Sequence, residues 1–590
     1  MSKRRTRIRV GRANLRMKWA LAVVLVVMLV LAGRIVQIQG LDAPTLAAAA
    51  LKQRLSTQTL HAGRGDILTS DGTALAQNVT RYTLVVDQTQ VGEYYKGDKK
   101  VGAEGAAADI AKALHTTKAA ILPSLQGDRR WNVIVKGLST EAWRRVQDLG
   151  IPGIAAEPHY RRSYPDGAVA GNLVGFVGSD GTPLAGMELE YNKLLSGKNG
   201  FKQYERGRDG SVIPLGEQNT KQPVDGTSLN LTINSDIQYF AQQQIAAQVK
   251  KMDAEWGTVV VMRPTGEILA LADSPGVDPN NPGASPANAR GSRALSDVFE
   301  PGSVAKVITA AGLLQEHKVT PYTHFTIPGL YTTPNGEKFK DAEQHGTEQL
   351  TFAGILAKSS NIGVVKAGSR LTKKQRYDYL RKFGIGQSTG IQFPGTSSGI
   401  LHKANQWDGR TQYAVLFGQG LAATSVQTAS AFATLANDGV RAQPRLLQST
   451  TAPDGTTTEN TPAPATRAIS SSNAKKVIRM MAGVVQDGTG TAAQVPGYQV
   501  AGKTGTAQAP AENGNGYDGY TASFIGMAPA NNPQLVVAVT LQRPKNNIYG
   551  GPTAGPVFAK TMSFALGQCK IPPAKTKVKP YPETWERGND

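Results

Sequence analysis

The chain has 590 residues, too many for one compact core, and its 40% apolar and 18% charged composition excludes a disordered or collagen-like protein. Its single cysteine, Cys569, excludes an intramolecular disulfide, and seven scattered histidines without ligand spacing leave no metal or other cofactor expected in the chemistry. The formal charge of +21 is partly local, with eight basic residues and no acid before position 19; the remainder is dispersed, so no nucleic-acid partner is expected.

After that basic tail (1–18), WALAVVLVVMLVLAG (Trp19 to Gly33) is free of charge, and IVQIQG continues it past Arg34. At about 1.5 Å per residue, 19–40 crosses a hydrocarbon core if Arg34 snorkels to the interface. A cleaved signal peptide would also begin with basic residues, but no A-x-A site follows and the run is long. An uncleaved single-pass anchor in the cell membrane is expected, with its N-terminus cytoplasmic by the positive-inside rule and the rest of the chain outside.

Residues 41–225 carry short alternating stretches, YTLVVDQ and WNVIVKGL, with helical pieces such as GAAADIAKALHTT between them. Polar GEQNTKQPVDGTS (Gly216 to Ser228) reads as a linker. A second domain, 226–568, opens with LNLTI as a strand. SDIQYFAQQQIAAQVKKM follows as a helix capped by Ser235 or Asp236. WGTVVVMRP and TGEILALAD form a hairpin, and with VVAVTLQR near the end they predict a sheet with helices packed on it. Thr450 to Thr466 reads as a Thr/Pro-rich surface insertion, and the Pro/Lys-rich tail 569–590 as disordered.

GYQVAGKT (Gly497 to Thr504) fits the phosphate-binding pattern G-x-x-x-x-G-K-[ST]. A P-loop needs a helix behind its Gly-Lys-Thr, whereas here Gly505, Thr506 and Pro510 follow, and ATP is not expected outside the membrane. QVAGKTGTAQ reads instead as an extended strand. An edge strand can pair with a peptide, Lys503 supplies a fixed positive charge, and the Thr504 and Thr506 hydroxyls can hold a carboxylate.

Such a strand calls for a nucleophile. GTSSG (Gly395 to Gly399) matches G-x-S-x-G without a strand-to-helix context, and SNAK (Ser472 to Lys475) lies at an ordinary helix start. SVAK (Ser303 to Lys306) begins a well-patterned helix, which puts Lys306 one turn from Ser303 on the same face. Free N–H groups at that helix start can stabilise an oxyanion. A neutral Lys306 amine, its pKa depressed by burial and by Lys503, could take the Ser303 proton. KSSNIG places Ser359 and Asn361 between the two, as a proton relay and an amide for a substrate carbonyl.

The ordered set S-x-x-K, S-x-N, K-T-G resembles the penicillin-binding and serine β-lactamase superfamily. TVVVMRPTGEILALADSP, SRALSDVFEPGSVAK, FGQGLAATSVQTASAFATLANDG and AGKTGTAQ extend the resemblance. GRGDILTSDG, YRRSYPDGAVAGNLVGFVG and GMELEYNKLLSGKNG are similar to the N-terminal pedestal (dimerisation-type) module of class B penicillin-binding proteins. One departure is Thr69 and Ser70, where that motif usually carries Asp-Arg; the Arg-Gly-Asp at 64–66 is given no adhesive meaning.

The resemblance implies an α/β (α+β) fold: an antiparallel sheet flanked by helices, an all-helical subdomain and an anchored pedestal. It implies D,D-transpeptidation of peptidoglycan stem peptides ending in D-Ala-D-Ala, with β-lactams as mimics. Ser303 would be the nucleophile, Lys306 the base, and Ser359 and Asn361 assistants. Lys503, Thr504, Gly505 and Thr506 would bind the substrate's end, and the N–H groups of Ser303 and Thr506 would form the oxyanion hole. The short module and the GLDAP segment resemble the division-specific branch, whose implied partners are a polytopic glycan polymerase and divisome proteins. An elongation-type enzyme, a D,D-carboxypeptidase and a β-lactam sensor are the alternatives. A single-domain β-lactamase is disfavoured by the large N-terminal module.

Overall fold

WGTVVVM is buried at every position, because both of its faces are covered. The computed structural model describes residues 13–207, 213, 218–511, 514 and 516–586. It makes this run strand β1 (Trp256–Met262), followed by β2 (Ile268–Ser274), β3 (Ala501–Pro510), β4 (Tyr517–Ala528) and β5 (Leu535–Gln542). They form one antiparallel sheet in the order β2-β1-β5-β4-β3, with Thr504 opposite Phe524, Phe524 opposite Val539, and Val539 opposite Val259. Successive side chains point to opposite faces. Val259, Val261, Val537 and Val539 therefore join one core, and Val260, Met262, Val536 and Ala538 the other. β3 is the edge.

The first face carries helix α1 (Ser235–Met252) and the final long helix, Gly550–Gln568, whose Phe564 stacks on Phe240 with ring centroids 4.2 Å apart. Numbered on in chain order, the helices beyond the second face are α2 (Lys306–Gln315), α3 (Phe352–Ala357), α4 (Asn361–Gly368), α5 (Ser425–Ala436) and α6 (Ser471–Gln486), and Gly550–Gln568 is α7. Helix α5 packs on the sheet and α6 on β3, while α2 and α3 pack on α6 and α4 on both of them. The cap of α1 is Asn234, not Ser235 or Asp236: its backbone is still extended and its Oδ1 accepts the Ile237 N–H at 3.0 Å. A cap must precede the helical dihedrals, and both expected residues already have them.

By internal contacts the chain divides into two compact units, 1–62 with 198–224 and 63–197 with 225–590. The first contains a helix Ala13–Val36, continued by a π-type turn Gln37–Leu41, which is long and apolar enough to cross a membrane. It also contains a three-stranded antiparallel sheet of Leu55–Leu60, Gly200–Glu205 and Gln218–Lys221. The last strand corrects the linker reading of 216–228. Its residues are all exposed, so it carries no apolar alternation to read; 216 and 217 lie outside the described residues, as do 1–12 of the basic tail.

In the second unit, Ser228–Leu231 pairs in parallel with Ile67–Leu68 and antiparallel with Leu447–Thr451. The N-terminal module and the large domain thus share a sheet, and the surface insertion begins in one of its strands. Three segments of the module meet at one carboxylate. Glu188 is fully buried and takes Arg64 Nε and Arg162 Nε, each at 2.6 Å; Arg64 also donates to the Glu188 carbonyl and to Asn192. At the departure from the family motif, the Thr69 hydroxyl closes a turn by accepting the Thr73 N–H at 2.9 Å.

The tail expected to be disordered is ordered through residue 586; 587–590 lie outside the described residues. Val578 exchanges hydrogen bonds with the Gln499 amide, and Tyr581 sits between Arg479 and Tyr322. Glu583 accepts the Thr351 N–H, and Trp585 stacks on His324 at 4.6 Å. Proline and lysine lower the average hydrophobicity of the tail, but three well-spaced large side chains are enough to dock an extended segment. Glu188→Ala, which strands two arginines in the interior, is expected to cost about 3–5 kcal/mol, read as a lower urea midpoint. Lys374→Ala, breaking an exposed i,i+4 pair with Asp378, should change it by less than about 0.5 kcal/mol.

Candidate active site

Ser303 sits in a 3-10 turn, Gly302–Ala305, that leads directly into α2. The turn depends on Gly302, whose φ is +57° and whose missing side chain would meet Ala507 of β3 at 2.9 Å. Gly302 N–H donates to the carbonyl of Gly418, which is also left-handed and packs against the Gly302 carbonyl. Phe299 and Ala423 exchange backbone hydrogen bonds, and Glu300 Oε1 accepts the Gly420 N–H at 2.8 Å. The EPGS and FGQG segments therefore clasp each other and hold the Ser303 turn against β3. The Ser303 side chain is half-exposed, and no hydrogen bond of its hydroxyl is found among the described residues.

Lys306, first residue of α2, and Lys503, on β3, are both fully buried. They converge on Ser359. Lys306 Nζ donates to the Ser359 carbonyl and lies 3.4 Å from its hydroxyl. Lys503 Nζ reaches the same hydroxyl at 2.9 Å, and Thr504 Oγ1 at 3.2 Å. Burial pushes the Lys306 amine down to about 7, against the opposing pull of the Asp341 carboxylate. Burial and the neighbouring Lys306 charge hold Lys503 well below the usual lysine range. Two ammonium groups sharing one hydroxyl cannot both stay charged without water around them.

Ser359 lies in the turn between α3 and α4 with φ +59°, a conformation that costs a non-glycine residue about 1–3 kcal/mol. Ser360 then caps α4 by accepting the Gly363 N–H at 2.8 Å. Asn361 opens α4, half-exposed, with its amide 3.4 Å from the Lys340 carbonyl. The hydroxyl of Thr504 is 2.8 Å from that of Thr489, and Thr506 Oγ1 accepts the Gly550 N–H at 3.1 Å. Gly505 is buried: a side chain there would strike Ser523 and Pro301, so its smallness lets β3 lie close to the Ser303 turn.

Asp341 escapes the sequence reading. Its Oδ1 accepts the N–H groups of Asn361 and Ile362, the latter at 2.9 Å. Its Oδ2 accepts the Ser360 hydroxyl at 2.7 Å and faces His345 at 3.0 Å. It is an acid at a helix N-terminus supplied from twenty residues upstream. The only local signal is the spacing of Asp341 and His345. GTSSG is an irregular loop, SNAK lies in the first turn of α6 behind the cap Ser470, and no helix follows Gly-Lys-Thr. A cavity of about 250 Å³ lined by Gly384, Gln427, Arg441 and Gln443 shares no residue with the cluster.

Two buried lysines about one serine, beside an edge strand and a second serine at a helix start, are an arrangement that can support acyl transfer. The penicillin-binding protein transpeptidase domain model matches residues 257–563, and the penicillin-binding protein dimerisation domain model matches 59–231. The chain is 33% identical to penicillin-binding protein PbpB of Mycolicibacterium smegmatis, covering 96% of this chain and 94% of that protein. It is 30% identical to the probable peptidoglycan D,D-transpeptidase PenA of Neisseria meningitidis, covering 91% and 90%. The crystal structure of penicillin-binding protein 3 from Mycobacterium tuberculosis complexed with aztreonam superposes with a TM-score of 0.69 at 29% identity, covering 88% of this chain and 98% of that one. The chain belongs to the penicillin-binding protein transpeptidase family, in its class B form with an N-terminal dimerisation module. Asp341→Ala, which leaves the first N–H groups of α4 without an acceptor, is expected to destabilise the domain by about 1–3 kcal/mol in thermal unfolding.

Proposed function

We propose that this protein is a membrane-anchored peptidoglycan D,D-transpeptidase of cell division that acts through an acyl-enzyme on Ser303. The observation that carries the reading is the shared Ser359 hydroxyl, within reach of two buried lysines whose pKa values are both depressed. The names of the relatives support it, and so do the family's module order and the apolar helix at 13–36.

A stem peptide pairs with the free edge of β3, its terminal carboxylate beside Lys503, Thr504 and Thr506. That negative charge raises the proton affinity of Lys503 and draws the shared proton to it, leaving Lys306 neutral as base. Ser303 Oγ attacks the carbonyl of the penultimate D-Ala and its proton passes to Lys306. The resulting oxyanion is held by the N–H groups of Ser303 and Thr506. Ser359 relays a proton to the departing D-Ala amine as the C–N bond breaks, which leaves an ester on Ser303, and the Asn361 amide holds the peptide's backbone carbonyl. An amine from a neighbouring strand then attacks the ester, its proton returns by the same path, and Ser303 regains its own. A β-lactam enters as far as the ester; its leaving nitrogen stays tethered. The helix at 13–36 anchors the chain with its basic tail in the cytoplasm. A glycan polymerase in the same membrane, with divisome proteins, is the expected partner.

The test is covalent labelling of the detergent-solubilised full chain by a fluorescent penicillin, followed for hours. Labelling that persists and is lost in Ser303→Ala is expected. Release within minutes would make the protein a hydrolase, and labelling of the Ala variant would displace Ser303 as nucleophile. The labelling rate should rise with pH through about 7 as Lys306 loses its proton. Because Asp341 favours the charged form of Lys306, Asp341→Asn is expected to move that midpoint to lower pH. An unshifted midpoint would remove Asp341 from the electrostatics of the base.

A further inference from the structure

The two hydroxyls that face the substrate carboxylate in this reading must point their protons at it, and each has a partner behind it that determines whether it can. Thr506 Oγ1 accepts the Gly550 N–H, at the start of the nineteen-residue α7, at 3.1 Å. A backbone N–H is only ever a donor, so the Thr506 proton is left free to point outward. Thr504 Oγ1 accepts from Lys503 Nζ at 3.2 Å and lies 2.8 Å from the Thr489 hydroxyl, a pair in which either oxygen can donate. If Thr504 donates to Thr489, its proton points away from the carboxylate. If Thr489 donates, both lone pairs of Thr504 are occupied and its proton must face the ligand.

We infer that Thr489 is a positioning residue for carboxylate recognition, aiming the Thr504 hydroxyl by donating to it. The inference rests on the proposed role of Thr504. The loop that carries Thr489 is held in place rather than free. A side chain on Gly488 would meet the Ala357 carbonyl at 2.7 Å, two residues before Ser359. One on Gly490 would meet the Phe524 ring at 3.1 Å, and one on Gly551 the Thr489 carbonyl at 2.6 Å. The Gly490 N–H donates to the Val484 carbonyl at 2.9 Å. The loop thus braces the end of α3 against β3 and the start of α7. An incoming carboxylate selects the chain Thr489 to Thr504 to ligand, because a hydroxyl that accepts a hydrogen bond becomes a better donor.

The test compares acylation of the full-length protein by benzylpenicillin and by its methyl ester, which differ in the free carboxylate. Thr489→Val keeps the shape and removes the hydroxyl; it is expected to slow acylation by the acid about five- to tenfold and to leave the ester unchanged. Thr489→Ser should restore the wild-type ratio. An unchanged ratio in Thr489→Val, whether both rates fall or neither does, would overturn the inference, since a purely structural role slows both probes alike. Failure of the underlying reading looks different: the wild-type protein would then show no preference for the acid over the ester.

Discussion

Two lysines with no solvent exposure meet at the hydroxyl of Ser359, and much of the surrounding structure serves to keep them there. Neither amine has a carboxylate in contact among the described residues; the acid acting on Lys306, Asp341, spends its oxygens on the N-terminus of α4 and on His345. Removing water from two like charges is costly, and both amines are held below the usual lysine range. That burial comes from two sides at once.

One side is the sheet. Lys503 is on the edge strand β3; its inner neighbours are covered on one face by α1 with α7 and on the other by α5, while α6 packs on β3 itself. The other side is the pair of turns that carry Ser303 and Ser359. Each uses a left-handed residue, Gly302 in the first and Ser359 itself in the second. Gly302, Gly418 and Gly505 let three backbones approach to distances that any Cβ would forbid. The strain at Ser359 is sustained by hydrogen bonds that Ser360 and Asp341 make to α4.

The N-terminal module is more than a spacer. Its strand Ile67–Leu68 continues a sheet through Ser228–Leu231 into the large domain, and the Glu188 carboxylate ties together three of its segments. At the other end of the chain, the tail docks onto the strand and helix that precede Ser359, with Glu583 on Thr351 and Trp585 on His324.

Sequence alone determined whatever depends on local pattern. A charge-free run specified the apolar helix, because hydropathy is additive along a helix. Two apolar runs joined by turn residues specified β1 and β2, and the residues after Gly-Lys-Thr ruled out a helix there. The ordered motifs with their flanking segments pointed to Ser303, Lys306, Ser359 and Lys503. Sequence could not determine what depends on distant partners. Asp341 caps a helix twenty residues away, Thr489 meets Thr504 across two elements, and an all-exposed strand at Gln218–Lys221 carries no alternation to read. The tail looked incapable of folding because its few large side chains bury against surfaces that other segments build. The depressed lysine pKa values likewise belong to no local pattern: desolvation is a property of everything packed around a group, and only the tertiary structure assembles it.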